Sequence, residues 1–533
     1  MKGLISCVAF IFYSICLPNN IKSVPFDWGN QFGYLNIDGM VMWGEDWESK
    51  NLFFDGSWAI FPMMYGNEIA ENFQKKRESS AVLDSPDVVS KIDYQQGDYG
   101  YDKFSIGIDY TAKNRLIQLL GFKRSFVGNY NQYYANTLQP QHQSYILCTK
   151  FSDTYRNTGL SLGHFNTYSG FPDTLTNGLF DNRITSLNYF LEKIVGSASI
   201  NFQVDQFLQR YKAIHSLSIY EKPRYLGRSR YILELSYLIN QIPFIVGFEK
   251  NSRFSYFDNN KDVGWNDLYS SFKWNNVKIH SSAIQYRNQN FFNYSIILNK
   301  GFDFVNIVVE NTTRILPIHP FYLHNYDINQ YNHFYKKYFK LCLVEWSVKN
   351  NRISFALSMT EDNQSLGSEN LKMPNKYKNL NLSYSRKFTS SFNGYISYNR
   401  IDTGNYYSGG VGSEVALKLL SKFSLFNNFM AVELESDFSH LFNRVNYSMI
   451  NPIEMVPMVI NESDHRNLPP ISLIDITMRT KVSTVMFEFQ WINVSEIILA
   501  TLQSEKNNFI LIHPTMPYLG RQINFSINWE FKD

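Results

Sequence analysis

Residues 523–531 read Ile523-Asn524-Phe525-Ser526-Ile527-Asn528-Trp529-Glu530-Phe531. Apolar and polar residues alternate without a break. Side chains on a β-strand point to opposite faces in turn, so period two predicts a strand whose Ile523, Phe525, Ile527, Trp529, Phe531 face is apolar. Its Asn524, Ser526, Asn528, Glu530 face is hydrogen-bonding. Alternation alone fits a strand on a protein core or on lipid. The position next to the C-terminus and the closing aromatic residue favour the last strand of a membrane barrel, closed by an aromatic signal that the barrel assembly machinery reads.

The same pattern recurs upstream. Ala198, Ile200, Phe202 and Val204 alternate with Ser199, Asn201, Gln203 and Asp205, and further runs are Tyr231-Leu233-Leu235-Tyr237, Phe244-Val246-Phe248, Ile353-Phe355-Leu357-Met359 and Phe392-Gly394-Ile396-Tyr398. Short polar breaks at 111–114, 153–157, 192–196, 240–243, 275–276, 299–301, 349–351, 387–391, 421–422 and 480–481 predict hairpin turns. Longer polar or Pro-containing stretches at 127–142, 166–182, 315–334, 361–376 and 439–472 fall between them. Short turn, long loop, short turn is the rhythm of an outer-membrane barrel. These breaks imply roughly 22 strands, within a range of about 16 to 24. The fold class expected is therefore all-β: a transmembrane antiparallel up-and-down barrel with tight periplasmic turns and long outer loops. Residues 28–65 fit least well. Leu35-Ile37-Gly39-Val41-Trp43 alternates, but extra strands there would upset an even count, so first strands and a periplasmic or lumenal element both stay open.

Composition agrees. Of 533 residues, 18% are charged, 17% are aromatic and 44% are hydrophobic, with a mean hydropathy of -0.28. Apolar residues are spread thinly, and no run after the leader is long enough for a membrane helix. The net charge of +3 gives no field suited to nucleic acid. Cys7 and Cys16 lie in the leader, while Cys148 and Cys342 stand singly in strand-like stretches, a pattern for neither a disulfide framework nor a zinc site. Lys2, the apolar run 4–17 and the break at Pro18 read as a secretory signal peptide. Bulky Ile15 before Cys16 argues against lipoprotein processing. The organisation expected is a signal peptide at 1–23, an N-terminal segment at 24–65 and an outer-membrane barrel at 66–533.

Met516-Pro517-Tyr518-Leu519-Gly520-Arg521 ahead of the closing strand, and Gly97-Asp98-Tyr99-Gly100-Tyr101 leading into Phe104-Ile106-Ile108-Tyr110, resemble the final turn and the early strands of TonB-dependent receptor barrels and related plug-less porin-like proteins. The resemblance implies a transport barrel. Such receptors carry an N-terminal plug, whereas strands here are expected by about Lys91, so an open or partner-plugged lumen is expected in place of a built-in plug.

A lumen of that width holds water, folded loops or another protein. The function expected is a channel for small polar solutes, porin-like or plugged by a partner; the alternative is a non-conducting barrel that displays its loops for adhesion or assembly. Asn201, Gln203, Asp205, Asn524, Ser526, Asn528 and Glu530 are expected to face the lumen. Trp58, Trp265, Trp274, Trp346, Trp491 and Trp529 are expected in the interfacial girdles. The expected partners are outer-membrane lipids, the barrel assembly machinery, a small polar solute and a separate plug or periplasmic protein.

Other motifs read as structure. Gly159-Leu160-Ser161-Leu162-Gly163 spells a nucleophile elbow, but it sits in a strand pattern with no helix after it, and Ser161 and His164 fall on opposite faces. His440, Glu454, Glu462, Asp464 and His465 are too loosely spaced for a metal site and read as solvated side chains. Residues 406–412 lack the Lys-Ser/Thr of a phosphate loop, and the aromatic run 130–134 reads as loop packing more readily than as a sugar platform. No catalytic residue, cofactor or metal is expected.

Overall fold

A computed structural model describes residues 21–25, 33–37, 40–42, 86–125, 127, 141–170, 179–214, 220–240, 242–318, 320–325, 333–362, 376–402, 412–446, 450–451, 456–457, 466–496 and 520–532. Its dominant feature is a closed antiparallel barrel of 22 strands in simple chain order, the last pairing with the first. The wall begins with β1 (Asp87–Gly97), β2 (Tyr101–Ala112), β3 (Arg115–Ser125), β4 (Gln141–Ser152), β5 (Arg156–Gly170), β6 (Leu179–Val195), β7 (Ala198–Ile214) and β8 (Tyr220–Ile239). It continues with β9 (Ile242–Tyr256), β10 (Asn260–Trp274), β11 (Val277–Tyr286), β12 (Gln289–Gly301), β13 (Val305–Pro317), β14 (Phe334–Val348) and β15 (Asn351–Asp362). It closes with β16 (Lys376–Lys387), β17 (Phe392–Asp402), β18 (Ser413–Leu425), β19 (Met430–Phe442), β20 (Ile471–Val482), β21 (Val485–Ile492) and β22 (Gln522–Lys532).

Burial is inverted relative to a soluble protein. Leu233 and Leu235 on β8 are 52% and 50% exposed, while Arg230 on the other face is 2% exposed. Ile353, Phe355 and Leu357 on β15 and Ile523, Phe525 and Trp529 on β22 are exposed in the same way. A continuous apolar band on the outside of a closed sheet is stable against hydrocarbon and costly in water. Closure also leaves no edge, so every wall strand has a partner on both sides, as a sheet crossing lipid requires.

One end of the barrel carries tight turns. Asn240, Asn275, Lys349 and Ser483 open two-residue connections in the left-handed region, at φ of 48, 49, 50 and 55°. Asn takes this conformation readily. Three expected turns lie elsewhere. Residues 421–422 and 480–481 are inside β18 and β20, whose turns fall at 426–429 and 483–484, and 299–301 is the end of β12, with the turn at 302–304. The two lysines misread as turn residues belong to the polar face: Lys422 pairs with Glu433 on β19 at 2.5 Å.

The opposite end carries the longer connections. Short antiparallel ladders pair 444–446 with 466–468 and 450–451 with 456–457 within the β19–β20 connection. Residues 21–25, 33–37 and 40–42 pair into a three-stranded sheet whose strands bond to one another and to no barrel strand among the described residues.

Candidate functional site

The polar face between β7 and β11 is ordered by strand register. Across β8 and β9, Arg228 stands opposite Arg253, Arg230 opposite Asn251, Ile232 opposite Glu249, and Glu234 opposite Gly247. Across β9 and β10, Asn251 faces Trp265, Glu249 faces Asp267 and Gly247 faces Tyr269. Guanidinium rows therefore lie toward the long-loop end and carboxylate rows one step nearer the tight turns.

Hydrogen bonds fix this ladder. Asp205 on β7 is fully buried. It takes an ion pair from Arg230 at 2.7 Å, a bond from Gln203 Nε2 at 2.9 Å and a third from Asn188. Glu234 accepts from Asn201 Nδ2 at 2.8 Å and from the Tyr269 hydroxyl at 2.6 Å. Asn251 Nδ2 donates to Glu249 at 2.7 Å. Tyr269 reaches Glu234 because its ring lies over Gly247, where any Cβ would collide with it. Gln203, Arg228, Arg230, Glu234, Glu249, Asn251, Arg253, Asp267 and Tyr269, with Lys278, His280, Glu310 and Arg314, line a cavity of about 590 Å³.

A short helix closes the loop side of this wall. α1 (Pro320–Asn325) lies between β13 and β14. It buries Phe321, Tyr322 and Leu323 against Val263, Trp265, Ile284, Tyr286, Ile315, Ile318 and Tyr335. Val263, Trp265, Ile284 and Tyr286 belong to the same strand faces as the charged ladder, so the β13–β14 loop folds inward. His324 bonds Ser255 Oγ at 2.9 Å and stacks on Phe257 at 4.2 Å; Lys261 donates to the Leu323 carbonyl; His333 bonds the Tyr286 hydroxyl at 2.8 Å. Burial, with Lys261 and Arg224 nearby, pulls His324 down to about 4. Burial and the cations Arg287 and Lys261 lower His333 as well.

The facing wall is built differently. β19 is the eleventh strand on from β8 in a ring of 22 and therefore stands across the lumen from it. Arg479 on β20 bridges Glu433 at 2.8 Å, Glu435 at 2.7 Å and Glu488 at 2.5 Å, and Lys418 pairs with Glu435. This wall ties its charges into one another.

The residues singled out in the sequence fall as follows. Asn201, Gln203 and Asp205 come together with Arg230, Glu234 and Tyr269. Asn524 and Ser526 are buried at the β22–β1 seam, and Glu530 lies 3.9 Å from Lys91. Trp265 is a correction to the girdle assignment: only 7% exposed, it occupies the polar face of β10 and packs on the inward-folded loop. Trp274, Trp346 and Trp529 are exposed on the outer face, and Trp58 lies outside the described residues. Ser161 lies opposite Cys148, and His164 bonds Thr185, on opposite faces of β5. His440 bonds Ser472 Oγ at 2.8 Å. Glu454, Glu462, Asp464 and His465 lie outside the described residues, as do 130–134 and 406–411. Arg228, Glu249, Asp267, Tyr269 and α1 were not anticipated. A faint signal for α1 was the apolar run Pro320-Phe321-Tyr322-Leu323 inside an otherwise polar loop.

No protein-family model matches the sequence, and no curated protein sequence matches it. Solved structures do. The fold is similar to that of the siderophore receptor PirA from Acinetobacter baumannii, with a TM-score of 0.65, 8% identity and coverage of 96% of this chain and 94% of that one. It is similar to the ferripyoverdine receptor of the outer membrane of Pseudomonas aeruginosa, with a TM-score of 0.58, 11% identity and coverage of 85% and 72%. It is also similar to the copper transporter OprC, with a TM-score of 0.59, 8% identity and coverage of 84% and 81%. The likeness is one of fold: this chain has the closed 22-strand barrel of TonB-dependent outer-membrane receptors. These neighbours are receptors and transporters by name, and what this chain shares with them is the barrel.

Proposed function

We propose that the protein is an outer-membrane channel that passes small polar solutes through its lumen, with the inward-folded β13–β14 loop narrowing the outer mouth. The observation that carries this reading is the inverted wall: apolar residues cover the outside, and a cavity of about 590 Å³ on the inside is lined by charged and hydrogen-bonding groups. On this reading Asn201, Gln203, Asp205, Asn524, Ser526, Asn528 and Glu530 line the path. Residues 1–23 direct export, 24–65 form a periplasmic or lumenal element, and the assembly machinery reads the closing strand with its aromatic Phe531. A separate plug or periplasmic partner would then regulate the lumen.

The packing of α1 against Trp265 and Tyr286 favours a second reading, a barrel occluded by its own loop that displays its other loops for adhesion or assembly. Liposome swelling separates the two. Proteoliposomes of a channel swell in isotonic sugars at rates that fall with solute size. Proteoliposomes of folded protein that swell no faster than empty vesicles would reject the channel.

A further inference from the structure

The register of β8, β9 and β10 arranges opposite charges in sequence along the barrel wall. Arg228 and Arg253 form one row; two rows toward the tight turns, Glu249 and Asp267 form another. Like charges directly opposite on neighbouring strands repel, so the pairing of Glu249 with Asp267 costs wall stability rather than adding to it. Two buried acceptors here have no donor: Asp267 Oδ1 in the carboxylate row and Asn251 Oδ1 in the row beside it. Asn251 is only 2% exposed, and both residues line the cavity. Buried acceptors left unpaired are costly, and a positively charged N–H donor is the complement that relieves two acceptors beside a carboxylate pair.

We propose that this part of the lumen is a binding site for small zwitterions, taking an ammonium group between Asn251, Glu249 and Asp267 and a carboxylate at Arg228 and Arg253. The dimensions agree. Arg253 stands one row, two residues or about 7 Å of strand, from Asn251, and two rows, about 13 Å, from Glu249. The nearer spacing matches a dipeptide, whose ends lie about 7 Å apart. The proposal deepens the transport reading, in that it takes the lumen to be open to solute, but it concerns equilibrium binding and does not require conduction.

Four glycine derivatives of similar size test it: glycylglycine, a zwitterion; N-acetylglycine, an anion; glycylglycinamide, a cation; and N-acetylglycinamide, which is neutral. Binding of each to the full-length refolded barrel in detergent is measured by equilibrium dialysis, with folding checked by heat-modifiable gel mobility. Glycylglycine is expected to bind at least about tenfold more tightly than each of the others. Glu249→Gln should bring it down to the level of N-acetylglycine while leaving N-acetylglycine unchanged; Lys422→Gln, on the facing wall, should alter none of the four. Equal binding of N-acetylglycine or of glycylglycinamide, or no saturable binding to folded barrel, would overturn the site. Binding as expected together with failed liposome swelling would leave the site standing and reject only the channel.

Discussion

Gly97 and Asn524 face each other across the seam where β22 closes the barrel on β1. The Asn524 side chain fills the space a Cβ on Gly97 would occupy, and that Cβ would also lie 2.8 Å from the Ile523 carbonyl oxygen, a backbone atom that cannot swing away. The next residue, Asp98, accepts the Ile523 N–H at 2.9 Å. The absence of a side chain at position 97 is thus part of how the cylinder closes.

Gly97→Ala should therefore weaken closure by about 1–3 kcal/mol, as forced overpacking does. Gly227→Ala on β8 is the control, because its Cβ would meet Phe254 at an ordinary 3.6 Å. The fraction of heat-modifiable barrel after refolding should fall for Gly97→Ala and hold for Gly227→Ala.

Asp205 and Arg230 are both buried and bonded at 2.7 Å. Arg230→Met would leave Asp205 charged beside Gln203 and Asn188 with no cation in contact, a loss of roughly 3–5 kcal/mol. Replacing both partners, as in Asp205→Leu with Arg230→Met, should recover most of it. Unfolding midpoints in guanidinium chloride for the two single variants and the double variant decide whether the pair acts as a unit.

Tyr322 is fully buried between α1 and the wall. Tyr322→Ala removes the centre of that contact, at a cost of about 3 kcal/mol to docking of the loop. The barrel strands do not depend on it. Heat-modifiable mobility should therefore stay unchanged while mean channel conductance rises.

The same loop should respond to acid. His324 has an ordinary value of 6.5 and is held down to about 4 when docked, first by burial and then by Lys261 and Arg224, with Asp258 opposing them. Between those values the undocked state binds the proton more tightly, so the contribution of neutral His324 to docking is complete above about pH 6.5 and is lost as pH falls toward 4. His333, beside Arg287 and Lys261, adds to the effect with the same sign. Conductance should increase over that interval, and His324→Gln should flatten the increase.

How much of this was legible beforehand depends on the range of the interaction involved. Alternation such as Tyr231-Leu233-Leu235-Tyr237 is a property of adjacent residues, so the strands and their approximate number could be read directly. The misplaced turns at 421–422 and 480–481 show where local reading fails. A polar pair inside a strand resembles a turn until its cross-strand partner is known, and Lys422 finds its partner Glu433 only across the β18–β19 hairpin. The Phe302-Asp303-Phe304 connection failed in the opposite sense, since aromatic residues concealed a tight turn. Of the charge ladder only the β7 side, Asn201, Gln203 and Asp205, was readable: Glu249 meets Asp267 only through the β9–β10 register, and Trp265 left its expected girdle because its place in that register puts it on the lumen face.

The most direct test is single-channel recording of the purified, refolded protein in a planar bilayer. Stable unitary steps, larger for Tyr322→Ala than for the parent protein, are the expected result, because they require both an inserted barrel and a lumen that its inner loop only narrows. Heat-modifiable, membrane-inserted protein that carries no current, with or without the Tyr322 side chain, would contradict the channel and leave an occluded barrel.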